Sequence, residues 1–489
     1  MEKYILAIDQ GTTSTRAILF DKNQKPVKVS QKEIQVFFPK PGWVEQDAGE
    51  IWLSTLAVIA GVFKDGEIKP EQVEAIGITN QRETTIVWDK NTGIPVYHAI
   101  VWQSRQTSDI VDKYKALGVE PLIKEKTGLI LDPYFSATKI RWILDNVPGA
   151  KDNDNLIFGT VDTWLLWRLT AGRVHATDVT NASRTLLFNI NTLDWDDELL
   201  KIFDIKRSML PEIKATSGVF GEVDRVHFFN QSCPITALVG DQQSALFGES
   251  CFEKGEIKNT YGTGGFMLIN TGDKPIISNY GLLSTVAWKI KDKVNYALEG
   301  SIFVSGSLIQ WERDGLHFFD DAAKTEEIAK SVEDSNGVII VPAFTGMGAP
   351  YWNQNCRGAI FGLTRGTTDK HLVRAALEAM AYQSKDLTEV MEKDLNEKVK
   401  ELKVDGGAAR NEYLLKFQSD ILGIPVIKCK NSETTALGAC RLAGLETGFY
   451  TMDDFINEEF STYNPDMDEE KRDKLYARWK KAVEATLGF

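Results

Sequence analysis

The sequence lacks two features that would connect it to nucleic acid or to a membrane. It has no excess of basic residues, because Asp and Glu outnumber Lys and Arg by 69 to 56 and the formal net charge is −13. Nucleic acid and anionic membranes both require basic protein surface, so neither is an expected partner. No run of eighteen apolar residues occurs, and the first apolar run ends at Asp9 after five residues. We therefore expect neither a membrane span nor a signal peptide.

Cysteine and histidine are also scarce, with five of each in the chain. No two cysteines are three positions apart, which favours unpaired thiols in a reducing cytoplasm. The histidines form no HExxH pair, which argues against a zinc site built from side chains. The dipeptide Gly-Lys and the pattern GxGxxG are absent too. Neither a Walker A loop nor a dinucleotide-binding Rossmann motif is therefore expected.

What the sequence does contain is a coarse internal repeat, and its 489 residues exceed what a single core accommodates. Each half has a hairpin with Gly and Thr at its turn, IDQGTTSTRAILF in the first and KNTYGTGGFMLIN in the second. Later in each half an apolar strand runs into an acidic residue and a helix, in ITALVGDQQSALFGES and in ELKVDGGAARNEYLLKFQSDILG. We predict two α/β domains of similar plan, residues 1–251 and 252–489, that face each other across a cleft.

Three glycine-rich turns follow apolar strands: DQGTTSTR from residue 9, TYGTGG from residue 260 and DGGAARN from residue 405. Glycine lets backbone N–H groups approach a phosphate closely, and Thr and Ser hydroxyls add further donors. A single turn of this kind is also explained by hairpin conformation alone. Three of them, two at matching positions of a repeat, favour a bound nucleotide.

Longer segments resemble the FGGY family of carbohydrate kinases. Residues 134–146, YFSATKIRWILDN, and residues 358–378, GAIFGLTRGTTDKHLVRAALE, look like the two signatures of that family. The segments ITNQRETT, PGWVE, DPYF, FGTVDTWL, NASRT, GDQQSALFG and NTYGTGGFML extend the likeness over nearly the whole chain and are similar to the branch that uses glycerol. The resemblance implies the fold of the actin, heat-shock-chaperone and sugar-kinase ATPases, with two RNase H-like domains on either side of a catalytic cleft.

The resemblance also implies a reaction, the in-line transfer of the γ-phosphoryl group of ATP to glycerol, which gives sn-glycerol 3-phosphate. Asp241 follows the strand predicted at residues 235–239 and matches the general base of the family, although a helix N-cap is its structural alternative. Asp9 and Asp241 would hold Mg²⁺ through water, since this ion keeps several of its own waters.

Two sets of site residues follow from the same resemblance. The acceptor set contains charged, amide and aromatic side chains, which would otherwise be an ordinary ion pair and core aromatics: Arg82, Glu83, Trp102, Tyr134, Asp241, Gln242 and Phe266. The nucleotide set comes from the glycine-rich turns and a predicted helix: Asp9, Thr12, Thr13, Ser14, Arg16, Thr263, Gly306, Gln310, Gly407 and Asn411.

A regulatory site is predicted at His227. Its segment, VHFFNQSCP, has neither the Gly nor the Arg of the sugar-bisphosphate loop found in some relatives, and it resembles instead a loop whose His is phosphorylated by the phosphocarrier HPr. A surface histidine without a role is the alternative. The family resemblance also suggests a homodimer or homotetramer.

Two other functions stay open at this point. One is a kinase for another polyol or sugar of the family, against which NQRE together with DPYF argues. The other is an actin-like ATPase without a small-molecule acceptor, against which the short helical tail after Ala436 argues.

Overall fold

The computed structural model describes residues 2–429, 433–455 and 460–489. Its central feature is a sheet of thirteen strands that runs through both halves of these described segments. In chain order the strands are β1 Tyr4–Gln10, β2 Ser14–Phe20, β3 Pro26–Glu33, β4 Val73–Asn80, β5 Ser217–Glu222, β6 Pro234–Gly240, β7 Ile257–Tyr261, β8 Gly265–Gly272, β9 Leu283–Ile290, β10 Lys293–Ile302, β11 Leu402–Gly406, β12 Val426–Cys429 and β13 Phe460–Tyr463. Across the sheet their order is β13-β12-β11-β7-β8-β10-β9-β5-β6-β4-β1-β2-β3.

The same strand order occurs twice in this sheet, as β3-β2-β1-β4-β6 in the first half and as β10-β8-β7-β11-β12 in the second. Each unit has an antiparallel hairpin, β1–β2 or β7–β8, whose second strand pairs antiparallel with a third strand. On the other side of each hairpin lie two parallel strands. The units are joined where β5 meets β9 through the single pair of Ser217 and Ile290. The repeat predicted from the sequence is thus present in the strand order.

Helices cover both faces of the sheet. Within the described residues they are α1 Ala48–Val62, α2 Ser108–Ala116, α3 Glu120–Thr127, α4 Ser136–Asn146, α5 Val161–Leu169, α6 Val179–Ala182, α7 Asp197–Phe203, α8 Asp241–Gly248, α9 Gly306–Asp314, α10 Thr325–Lys330, α11 Asp369–Leu395, α12 Glu412–Leu422, α13 Thr434–Thr447 and α14 Glu469–Leu487. Short strand pairs outside the sheet join Glu45–Gln46 with Ala99–Ile100, Ile86–Asp89 with Leu156–Gly159, Ala176–Asp178 with Glu212–Lys214, Phe188–Asn189 with Asp194–Trp195, and Ile339–Val341 with Ala359–Phe361.

Apolar periodicity predicts helices over residues 46–63, 372–387 and 413–422, and α1, α11 and α12 confirm them. The ends are set by caps instead of periodicity. The side chain of Asp47 accepts a hydrogen bond from the Gly49 N–H at the start of α1. The helix α11 extends to Leu395 because its last turns still bury Met391 and Leu395, and it ends where Asn396 takes a left-handed φ of 54°.

A helix from each half fills the space between the two units. The helices α8 and α13 pack closely, and Gly438 and Gly248 lie so near the carbonyls of Ser244 and Thr434 that neither position has room for a Cβ. An apolar layer that includes Leu246 surrounds them. In the described parts of the chain, no helix is both long and apolar enough to cross a membrane.

The parallel strands β1, β4 and β6 are buried over almost their whole length, as strands covered on both faces are. Their carboxyl ends lie at one edge of the sheet. In the register of these strands, Asn80 lies opposite both Gln10 and Gly240. The chain segments that follow Asp9, Asn80 and Gly240 therefore meet at this edge, where α/β proteins bind ligands.

Candidate active site

A buried cluster of charged side chains forms where β4 and β6 end. Arg82 lies with Nε 3.1 Å from Asp241 Oδ1. Its two terminal nitrogens donate hydrogen bonds to the carboxylate of Glu299, Nη1 to Oε2 at 2.5 Å and Nη2 to Oε1 at 3.0 Å. Arg184 donates to Glu83 Oε1 at 2.5 Å and to Glu299 Oε1 at 3.1 Å. The cluster brings together three predicted acceptor residues, and only Asp241, whose side chain is 29% exposed, is open to the cleft.

Burial and charge act against each other on the acids of this cluster. Burial raises the pKa of Asp241, and the opposite charges of Arg82 and Lys258 lower it in part. Burial also raises the pKa of Glu83 against the attraction of Arg184 and Arg82. Burial disfavours the charge of Glu299 as well, but its two arginine partners prevail and lower its pKa to about 2. Glu299 is therefore the fixed negative charge around which both guanidinium groups are arranged.

Glu83 is held in an unusual backbone conformation. Its φ of 61° lies in the left-handed region, which non-glycine residues seldom adopt. The hydroxyl of Ser136 donates to the Glu83 carbonyl at 3.0 Å, and the Thr84 N–H donates to the Arg82 carbonyl at 2.7 Å. These bonds fix the turn so that Glu83 faces Arg184. Backbone strain of this kind is concentrated at functional sites.

Three aromatic side chains line the same region. The ring of Trp102 lies 5.7 Å from that of Tyr134 and 5.9 Å from that of Phe266. Burial raises the pKa of the Tyr134 phenol, so this group is a neutral hydrogen-bonding group. Trp102 Nε1 also donates to Thr12 Oγ1 at 2.9 Å, which ties the aromatic wall to the first glycine-rich turn. The predicted apolar wall is therefore assembled, and it borders the predicted phosphate site.

The first glycine-rich turn connects β1 and β2. Gly11 N donates to Ser14 O at 2.9 Å, and Thr13 at the tip is exposed. Gln46 Nε2, in the short strand Glu45–Gln46, donates to the Thr12 carbonyl at 2.5 Å and so supports the turn. Thr12 and Ser14 are partly exposed and Thr13 is exposed, so the turn is accessible from solvent.

Asp9 and Arg16 form an ion pair at the base of this turn, and Arg16 Nη1 also lies 2.5 Å from Glu433 Oε2 in the second half. The charge of Asp9 raises the pKa of Arg16 against the effect of burial, and Glu433 adds to the rise. The predicted phosphate ligand Arg16 is thus held by carboxylates of both halves in this conformation.

The second glycine-rich turn, between β7 and β8, packs against the start of α9. The carbonyl of Thr263 accepts hydrogen bonds from the N–H groups of Ser305 and Ser307 at 3.0 and 3.1 Å. A Cβ at Gly306 would lie 2.6 Å from the Gly262 carbonyl, so close packing alone requires glycine there. Gln310 lies four residues after Gly306 in α9, which places the two residues on one face of the helix. Gln310 is exposed.

The third glycine-rich turn follows β11. Gly406 has a φ of +89°, and the space beside Gly407 is open. Asn411 caps α12, because its Oδ1 accepts from Leu414 N at 2.9 Å, and its Nδ2 donates to Thr325 Oγ1 at 3.1 Å. Gly407 and Asn411 lie at opposite ends of one short turn, but the side chain of Asn411 is engaged within the protein.

Three charged residues of the site were not predicted from the sequence: Arg184, Glu299 and Lys258. Each has a weak signal in its own segment. Arg184 belongs to NASRT, one of the segments that carry the resemblance, and Glu299 is a single acid in a strand that is otherwise mostly apolar at its centre. Lys258 stands near the start of the strand that leads into the second glycine-rich turn. A lone charge in a buried strand requires a partner, which is the signal that could have identified Glu299 and Lys258. Arg184 lies in the turn that follows α6, where no such signal applies.

His227 lies apart from the charged cluster, in a short turn at Arg225–His227. Its half-buried ring makes an edge contact with Trp52 at 5.0 Å, and burial lowers the pKa of the imidazole. The basic groups whose charge acts on it are Arg168 and Arg173, which the sequence did not indicate. Its neighbour Val226 is 86% exposed.

The geometry therefore combines two glycine-rich hairpin turns, one in each half, with a cluster of buried charges and a group of aromatic rings. This is the arrangement of a phosphotransferase with two ATPase domains of the actin type. Models of the FGGY family of carbohydrate kinases match the chain, the N-terminal domain over residues 4–248 and the C-terminal domain over residues 257–447. The chain belongs to this family.

Individual proteins agree with this assignment. The chain is 56% identical over 495 residues to a glycerol kinase of Bacillus cereus, with 100% of both proteins covered. It resembles the structure of Plasmodium falciparum glycerol kinase with ADP, with a TM-score of 0.92, 39% identity and 99% and 98% of the two chains covered. A gluconate kinase from Lactobacillus acidophilus, at 24% identity and a TM-score of 0.88 over 100% and 99% of the chains, shares the fold.

Proposed function

We propose that the protein transfers the γ-phosphoryl group of ATP to glycerol and forms sn-glycerol 3-phosphate. The observation that carries the proposal is the placement of Asp241. Its carboxylate is the accessible member of a buried charged cluster, directly after β6, and each half of the chain has a glycine-rich hairpin turn that could bind phosphate. The full-length likeness to glycerol kinases at 56% identity supports glycerol as the acceptor.

In this proposal Asp241 is the general base that accepts the proton of the attacking hydroxyl. A base must be ionised, and Arg82 at 3.1 Å together with Lys258 favours the carboxylate against the effect of burial. Glycerol has three hydroxyls, and Arg82 supplies donors while Glu83 supplies acceptors for them. Gln242 adds an amide beside the base. Trp102, Tyr134 and Phe266 would cover the carbon edge of the acceptor.

The nucleotide would lie between the turns of the two halves. Thr12, Thr13, Ser14 and Arg16 would hold phosphates from one side and Thr263 from the other. Gly306, Gln310, Gly407 and Asn411 would contact the adenosine portion. The Plasmodium relative was solved with ADP, which supports ATP as the donor in this chain.

Mg²⁺ is part of the proposal. Within the described residues no group of three or more His, Cys, Asp and Glu side chains could hold a metal ion directly. Asp9 lies near the end of β1 and Asp241 directly follows β6, and these two strands lie on either side of β4. Two separate carboxylates suit an ion that binds through water and phosphate oxygens. When bound, Mg²⁺ neutralises charge on the phosphates.

The division into domains, residues 1–251 and 252–489, also stays a proposal, and so do three further points. We propose the cytoplasm as the location, since the enzyme would use ATP and the buried Cys233, Cys251 and Cys356 are not joined in disulfides. His227 is proposed as a target of HPr. A homodimer or homotetramer remains a prediction from the family resemblance.

A coupled ADP-release assay tests the proposed function. Glycerol, dihydroxyacetone, erythritol and several pentoses are compared as acceptors at equal concentration. Turnover that depends on glycerol and exceeds that with the other acceptors supports the proposal. Preference for a pentose would instead indicate another carbohydrate kinase, and ATP turnover without any acceptor would indicate an actin-like ATPase.

A further inference from the structure

Lys258 is a fully buried cation that joins the two halves of the chain beneath the proposed site. It belongs to β7 in the second half, and its side chain is 0% exposed. Its ammonium group lies 2.6 Å from Gln242 Oε1 in α8 of the first half. It also donates to Thr260 Oγ1 at 2.7 Å and to the Phe266 carbonyl at 3.4 Å.

These three acceptors use all three N–H donors of the ammonium group. Lys258 therefore has no donor left for a phosphate, unlike the lysine of a Walker A loop. Burying a cation is costly unless partners compensate for the lost water, so its position needs an explanation other than ligand contact. Burial lowers the pKa of Lys258 and the charge of Arg82 adds to this effect, while the charges of Asp405, Asp241 and Glu299 oppose it in part.

The contact with Lys258 decides how the Gln242 amide is oriented. An ammonium group can only donate, so the amide oxygen must face Lys258 and the amide NH₂ must face elsewhere. Within the described residues Gln242 Nε2 donates to no protein group. The NH₂ is therefore available as a donor beside Asp241, where the acceptor hydroxyl would lie.

The other two contacts connect the same ammonium group to the nucleotide side. Thr260 lies in β7, and one residue separates it from the second phosphate-binding turn. Phe266 follows that turn in β8 and belongs to the aromatic wall. A shift of the turn when phosphate binds would thus be transmitted through Lys258 to Gln242.

We infer that Lys258 is a positioning residue that orients Gln242 for the acceptor and couples the acceptor site to the second phosphate-binding turn. The inference depends on the proposed function, because it assigns Gln242 to glycerol. If Lys258 has this role, replacing it should weaken the binding of glycerol and leave the affinity for the nucleotide unchanged.

The chain offers a matched control. Lys403 lies directly opposite Lys258 in the pairing of β11 with β7, and it is also buried. Its ammonium group donates to the Ser250 carbonyl at 3.0 Å and lies 3.7 Å from Glu256, away from the acceptor region. Replacing each lysine with methionine removes a buried charge from the same face of the same sheet.

Steady-state kinetics with glycerol and ATP compare Lys258→Met with Lys403→Met. Losing a charge-assisted hydrogen bond to Gln242 should raise KM for glycerol by about 10- to 100-fold in Lys258→Met. KM for ATP should change by less than about threefold, and Lys403→Met should keep both constants within about twofold of the wild type. Glycerol should also lose most of its effect on the affinity for ADP in Lys258→Met only.

A double mutant separates positioning from a general loss of structure. If Lys258 acts through Gln242, Lys258→Met should raise KM for glycerol no more than about twofold in a Gln242→Leu background. Full additivity of the two changes would overturn the inference, and so would an unchanged KM in Lys258→Met. If the methionine variant does not fold, Lys258→Gln replaces it. A glutamine amide can donate or accept, so it no longer fixes the orientation of the Gln242 amide, and KM for glycerol should still rise. If the wild type shows no glycerol-dependent turnover, the proposed function itself is wrong. The assay of the wild type gives this result before any variant is made.

Discussion

Glu299 is the residue on which the stability of the charged cluster depends most. It is fully buried and accepts hydrogen bonds from both Arg82 and Arg184. The substitution Glu299→Gln keeps the size of the side chain but removes its charge. Two buried guanidinium groups would then share fewer negative partners, so we expect the folded state to be strongly destabilised.

The magnitude follows from the pKa of Glu299. It falls from an ordinary value of 4.5 to about 2 in the folded protein, which corresponds to about 3 kcal/mol of stability near pH 7. Removing one partner of a buried ion pair typically costs about 3–5 kcal/mol, which agrees with this figure. Because the folded pKa is depressed, the stabilisation is present above about pH 4.5 and is lost as the pH falls through about 2.

Urea unfolding of wild type and Glu299→Gln, at several pH values from about 7 downward, measures this effect. The difference in unfolding free energy should be about 3 kcal/mol near pH 7 and about 1 kcal/mol smaller near pH 4. A difference below about 1 kcal/mol near pH 7 would refute the argument that Glu299 is held as a charged partner of both arginines.

Glu312 provides the control with the opposite sign. Its side chain in α9 is also fully buried, but neither carboxylate oxygen has a hydrogen-bond partner among the described residues. Burial raises the pKa of Glu312 to about 8. Near pH 7 the folded protein must therefore keep a proton that the unfolded chain releases, which lowers the stability of the wild type. Glu312→Gln should therefore stabilise the protein by about 1–3 kcal/mol near pH 7. That advantage should grow as the pH rises from about 4.5 to about 8.

Three further outcomes are expected. Asp241→Asn should leave glycerol binding largely intact and reduce kcat by about 10²- to 10⁴-fold, since an amide cannot accept the proton; near-normal turnover would contradict its role as base. Glycerol and a nucleotide together should close the halves over the cleft, because each half carries one of the two turns proposed to bind phosphate. Small-angle scattering should then show a smaller radius of gyration only with both ligands. HPr, enzyme I and phosphoenolpyruvate should label the wild type and not His227→Ala, with Arg168 and Arg173 as the basic groups that would meet the added charge; equal labelling of both proteins would disprove this site.

Local sequence patterns predicted the parts of the fold that depend on neighbouring residues. The hairpin β1–β2 was evident because two apolar runs flank a short turn rich in glycine and hydroxyl groups. Helix α12 was evident from its periodicity, and the similar plan of the two halves was evident from the repeat of these signals. The order of the strands is known only from the structure. The joining of both units into one continuous sheet was not predicted, since it depends on the single pair of Ser217 and Ile290.

The charged cluster shows why part of the site escaped sequence reasoning. Arg82 and Glu83 were identified because they follow a strand and match a motif, whereas their partners lie far along the chain. Arg184 is 101 residues from Glu83, and Glu299 is 217 residues from Arg82. Only the folded sheet brings them together, because both halves of the chain contribute strands to it and β9 meets β5 beside β10.

The boundary near residue 251 stays a prediction, and the charged cluster draws its residues from both sides of it. Arg82, Glu83, Arg184 and Asp241 come from the first half, where two positive charges meet two negative charges. The second half adds one further pair, Lys258 from β7 and Glu299 from β10. Each half thus contributes equal numbers of positive and negative side chains. The hydrogen bonds nevertheless run across the boundary, from Arg82 to Glu299 and from Lys258 to Gln242. Burial of these charges requires both halves, so the charged cluster is a property of their association and not of either half alone.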